Sequence, residues 1–137
     1  MLGSGIGNYQ QADARRVMEK LLAEHKEIDA VLSANDSMAL GVLEALKAAN
    51  RTATVIGING ILPAVKQIES GGMLASVDFN MFKIGCTAAR AAVRHLKKEP
   101  LPEKVMLPAE VIDKTNYKAW LVPVDQRSCP EWADVAR

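Results

Sequence analysis

The sequence predicts an α/β fold, a parallel sheet with helices on both faces. Three observations predict it. Short β-rich runs alternate with stretches of helical period along most of the chain. Asn, Asp, Gly and Pro fall between these runs, where the chain must turn. Of the 137 residues, 49% are apolar and 24% charged, which suits one domain with a buried core.

The elements follow in order. Leu2 to Ile6 reads as a first short strand. Residues 10–26 read as a helix, because Ala14, Val17, Met18, Leu21 and Leu22 recur on one face. Ile28 to Ala34 is an apolar run that stops at Asn35-Asp36, either of which suits a helix N-cap. Residues 36–49 return to helical spacing, with Ala39, Val42, Leu43 and Leu46 on one stripe. Ala53 to Ile58 is a second buried-strand candidate, stopped by Asn59-Gly60. Residues 62–70 make a short helix with Pro63 in its first turn, where a missing N–H does no harm. Gly71-Gly72 ends it, and Met73 to Val77 forms the next strand. Residues 80–98 are an alanine-rich helix closed by Pro100 and Pro102. Val105 to Ile112 reads as a last strand, Thr115 to Leu121 as a last short helix, and 122–137 as a surface tail. Alternating strands and helices imply parallel pairing.

Composition narrows the function. Seventeen basic and 16 acidic residues leave a net charge of +1, which argues against nucleic-acid and polybasic membrane binding. No apolar run approaches a transmembrane length, and no secretory leader pattern opens the chain. On that ground alone the chain is expected to stay on the side of the membrane where it is made. Cys86 reads as a small core residue and Cys129 as a free thiol in the tail. Their spacing suits no metal, and neither His25 nor His95 has ligand-spaced neighbours, so no cofactor or metal is expected. GSGIG at 3–7 is not a dinucleotide fingerprint, and no GxSxG elbow is present, so no catalysis is expected. Arg90, Arg94, Lys97 and Lys98 read first as a solvated helix face. Trp120 and Trp132 read as packing residues or tail anchors.

In open parallel sheets, ligands sit beyond the carboxyl ends of the strands. The residues there are Asn8 and Tyr9, then Asn35 and Asp36, then Asn59, then Asp78 and Phe79. Amides donate and accept, which suits ligand hydroxyls, and aromatic faces cover C–H surfaces. Each has a plainer reading: Asn-Asp as a cap, Asn-Gly as a turn, Tyr9 as packing. Their convergence on one edge suits a neutral polyhydroxylated ligand.

IDAVLSANDSMALG (Ile28 to Gly41) resembles the signature of periplasmic sugar-binding proteins of the ribose-binding type. VIGING (Val55 to Gly60), IESGGMLASV (Ile68 to Val77), KIGCTAARAAV (Lys83 to Val93) and LPAEVIDKTN (Leu107 to Asn116) match in order. The resemblance runs to about Pro123. It implies ligand binding by Tyr9, Asn35, Asn59, Asp78 and Phe79, without catalysis. Asn35 would bond sugar hydroxyls, Asp36 would cap the helix and order the loop, and Tyr9 would stack. The family's residue at Asn59 is usually Asp. At Phe79 it is often Gln or Asn, so either Phe79 gives a second stacking face or Asp78 takes the polar role.

The resemblance implies an ABC-type importer as partner, a periplasmic location, and two lobes that close on a sugar or polyol. The same pattern occurs in effector domains of lactose-repressor-like regulators, an alternative that Asn50-Arg51-Thr52-Ala53 and the Trp120 segment disfavour. A fragment with no binding of its own is the third reading. Residues 1–123 resemble only the later part of these proteins, an incomplete C-terminal lobe, with 124–137 as a tail. Residues 80–104 would then pack on the other lobe. Ala88, Ala91 and Ala92 would be left exposed, which predicts self-association through helix 80–98 or a looser fold.

Overall fold

A computed structural model of the chain describes residues 2–135. Strands β1 (Ala30–Leu32), β2 (Thr54–Ile58), β3 (Ala75–Asp78) and β4 (Glu110–Asp113) form one sheet in that order. The first three are parallel and β4 is antiparallel to β3. Helices α1 (Gln11–Glu24), α2 (Asp36–Ala48), α3 (Leu62–Ser70), α4 (Met81–Leu96) and α5 (Trp132–Val135) complete the fold with 3-10 turns at Tyr117–Leu121 and Val124–Gln126.

The registers place Val55, Gly57, Ser76 and Ile112 on one face of the sheet. All four are buried, beneath α2 and α3, where Ala39, Val42, Leu46, Val65 and Ile68 complete the core. Helix α1 packs along α2, burying Met18 in the same cluster. The opposite face leaves Leu32 80% and Val111 56% exposed. Helix α3 ends where Gly71 takes φ +85° and Gly72 N–H reaches back to the Gln67 carbonyl.

The α/β class and the parallel order of β1 to β3 are those the sequence predicts. The last strand differs. It is half the expected length, because Pro108 offers no N–H and restrains Leu107, so pairing starts at Glu110. It is antiparallel because α4 does not carry the chain back across the sheet. The chain leaves at Asp78 and returns opposite it, at Glu110. Residues 2–6 form no strand. Gly3, Gly5 and Gly7 let this segment lie close on α1 and Met38 instead of pairing with β1: a Cβ on Gly5 would meet Val17 at 2.2 Å.

Helix α4 stands apart. Only Thr87 is buried among its 16 residues, and its hydroxyl donates to its own Lys83 carbonyl. Ala88 and Ala92 are exposed, as expected, and Ala91 is half-buried. The tail is no loose appendage. Cys129 pairs with Cys86 in a disulfide, so neither cysteine has its expected role. Cys86 sits on a face of α4 that the body leaves uncovered, and the tail comes to it. Arg90 donates to the Pro130 carbonyl, and Arg94 lies 4.9 Å over the Trp132 ring while pairing with Glu99 at 2.8 Å. Those two arginines therefore serve the tail and the helix end rather than solvent. Their pairing could not be read from a stretch of like charges.

Candidate ligand-binding edge

Because β1, β2 and β3 are parallel neighbours, their carboxyl ends share one edge. Four of the five expected residues follow from that geometry, and the fifth is tied to it by a hydrogen bond. Asn35 Nδ2 donates to the Tyr9 carbonyl at 3.2 Å, and Asn35 Oδ1 accepts the Met38 N–H at 2.8 Å. Asn35 thus caps α2, the role expected of Asp36. The amide still has one N–H and one lone pair for a ligand. Tyr9 has φ +57° and is 67% exposed, so its ring is not held by packing.

Asp36 points inward and is completely buried. Its Oδ1 accepts the Ser76 hydroxyl at 2.7 Å and its Oδ2 the Ile61 N–H at 2.9 Å. Ser76 Oγ in turn accepts the Gly60 N–H at 3.1 Å. The carboxylate fits there because residue 57 is glycine: a Cβ would lie 2.2 Å from Asp36 Oδ1. Burial pushes the Asp36 pKa up, against the opposing pull of the Ser76 hydroxyl and the Ile61 and Gly60 amides. This lattice fixes the loop that carries Asn59. Asn59 has φ +121° and donates its backbone N–H to the Val77 carbonyl. Its side chain bonds no described residue. No buried side-chain polar atom among those described is left unpaired, so this amide is open to solvent.

At the end of β3, Asp78 and Phe79 differ in access. Asp78 is buried and engaged: Oδ1 accepts the Asn80 N–H at 2.7 Å and Oδ2 the Trp120 indole N–H at 2.8 Å. Phe79, 38% exposed, is the more accessible of the two. Asn80 holds φ +62° and donates to the Pro108 carbonyl at 2.6 Å and to Glu110 at 3.2 Å. Burial works against ionisation of Glu110, but the hydrogen bonds from Asn80 and Lys83 and the Lys83 charge outweigh it and lower its pKa.

Sequence reasoning missed Ser76, Asn80 and the Trp120 bond. The one available signal was Ser76 and Asp78, two polar residues at period two on the face where β2 is apolar. A cleft of about 510 Å³ lies elsewhere, between residues 2–7, α1 and β1. Its lining, including Val17, Leu21 and Val31, is mostly apolar and offers few partners for hydroxyls. Among the described residues no three His, Cys, Asp or Glu side chains gather where they could hold a metal ion.

The three parallel strands end together at an edge that bears amides and aromatic rings over a buried carboxylate, and the fold around that edge is that of the periplasmic binding proteins. The chain belongs to that family: residues 2–100 match the model of the periplasmic binding protein domain. It is 32% identical over 114 residues to the ribose import binding protein of Haemophilus influenzae, 83% of this chain and 39% of that one. Among solved structures, an ABC transporter periplasmic solute binding protein from Actinobacillus succinogenes with bound D-allose superposes with a TM-score of 0.83. It is 26% identical, covering 87% of this chain and 43% of the other. The Caulobacter myo-inositol binding protein bound to myo-inositol gives 0.72 at 31% identity, covering 80% and 39%. The chain spans about two-fifths of the length of the relatives it matches.

Proposed function

We propose that this chain supplies one wall of a binding site for a sugar or cyclic polyol, and that it binds without transforming its ligand. Asn35 and Asn59 bond hydroxyls, while Tyr9 and Phe79 cover the ring faces. Asp78 acts from behind, holding Asn80 and Trp120 rather than touching the ligand. The observation that carries the reading is the open Asn59 amide on a loop held rigid by Asp36 and Ser76. Family membership and the names of its relatives support the ligand class. In the complete protein the site closes against a first lobe, and the closed form is read by an ABC-type importer in the periplasm. We also propose that 1–123 act as the partial lobe and that the bare face of α4 seats a first lobe or, without one, a second copy.

The test is thermal unfolding of the complete protein against a panel of pentoses, hexoses and inositols. A cognate ligand at about 100 times its Kd stabilises by roughly 2.7 kcal/mol. Asn59→Ala removes most of that gain. A panel in which no member shifts the melting temperature overturns the ligand class. A shift untouched by Asn59→Ala overturns the site.

A further inference from the structure

The tail from Leu121 to Cys129 bridges the sheet body and α4, which among the described residues are also joined by hydrogen bonds at a narrow neck. At one end, the 3-10 turn Tyr117–Leu121 packs on α3, and Trp120 donates to Asp78 at the end of β3. At the other, Cys129 is bonded to Cys86 and Trp132 lies under Arg94, both partners on α4. Between them, Arg127 donates to the Val122 carbonyl at 2.9 Å and the Trp120 carbonyl at 3.0 Å, folding the segment onto itself. The neck consists of Asn80, Pro108, Glu110 and Lys83, joined by hydrogen bonds and one half-exposed ion pair. The principal packing partner of α4 among the described helices and strands is α5, which belongs to the tail.

We propose that residues 121–132 are a disulfide-closed strap that limits how far α4 can swing about its neck. A helix with one buried residue has little packing to hold it in place, and its neck is a pivot of a few polar contacts. A third, covalent attachment turns that pivot into a tether of fixed reach by removing the wider conformations available to an untied helix. The same strap connects α4 to Asp78, so a displacement of the helix is felt at the edge that carries Phe79. This inference does not rest on the sugar reading.

The experiment is amide hydrogen exchange on the whole chain, native against Cys86→Ser/Cys129→Ser. The ratio of rates is compared between α4 and the body strands β2 and β3. The strap predicts that exchange in Met81–Leu96 accelerates at least tenfold more than in Thr54–Ile58 and Ala75–Asp78. Equal acceleration in both regions, or none in α4, overturns it. Reduction of the native chain by dithiothreitol repeats the comparison without substitution. Two electrons and two protons turn the disulfide into two thiols as the reagent closes to its own disulfide. Trp132→Ala with the disulfide intact is expected to change α4 exchange less than twofold. A larger change assigns the restraint to tail packing and overturns the covalent strap.

Discussion

Helices α2 and α4 are close in length and opposite in construction. Of the 13 residues of α2, six are buried: Asp36, Ala39, Gly41, Val42, Ala45 and Leu46. Of the 16 in α4, Thr87 alone is buried. The first helix is held by packing and by the Asn35 cap. The second is held by its ends and by a covalent bond to the tail. Helical periodicity therefore reports that a helix exists and which side is apolar. It does not report whether anything lies against that side.

The largest break in this comparison comes from matched truncations. Ile68→Ala, at a site 1% exposed in the body, is expected to cost about 3–4 kcal/mol in urea unfolding. Ile84→Ala, 45% exposed on α4, is expected to cost under about 1 kcal/mol. Similar costs would show α4 to be as well packed as the body. Next, Trp120→Phe keeps the ring but strips the Asp78 carboxylate of a donor, with an expected loss of about 1–2 kcal/mol. No measurable loss would detach the strap from β3.

A third probe uses pH. The folded pKa of Asp36 lies above its ordinary value of 3.8, so the folded state holds that proton more tightly. The associated stability is present below that value and is lost as pH rises through the folded pKa. Native stability relative to Asp36→Asn should therefore fall as pH rises from 3.8, as read by melting temperatures across the range. A difference that grows with pH would reverse the assignment. Smallest is Lys83→Ala at the neck, whose pair with Glu110 is about two-fifths exposed on both sides. It is expected to cost at most about 0.5 kcal/mol. A larger cost would make the neck a clamp rather than a pivot.

Much of the body could be read from the sequence because its signals are local. Asn35-Asp36 and Gly71-Gly72 bound their helices by caps formed within a few residues. The edge at Asn35, Asn59 and Phe79 followed from strand order alone. What escaped depends on contacts distant in the chain or on backbone angles. Both Asn35 and Asp36 suit a cap. Extended backbone at Asn35, φ −152°, gives the role to the amide, and the space left by Gly57 takes the carboxylate inward. The two cysteines lie 43 residues apart, in a helix and a tail whose patterns share no period. The direction of β4 depended on where α4 leaves the chain, a matter of packing rather than propensity.

That disulfide also imposes a timetable. Cys86 leaves the ribosome 43 residues before Cys129. At ordinary synthesis rates the delay is roughly 2–9 s. By then residues 30–78, which hold all three parallel strands, have been made, and the only covalent cross-link has yet to form. Throughout that interval Cys86 is a thiol on a thinly covered helix, able to exchange with any disulfide it meets. Maturation of this chain therefore has two stages. The three parallel strands need no covalent bond, whereas the helix is fastened only once both cysteines have been made and an oxidant has reached them.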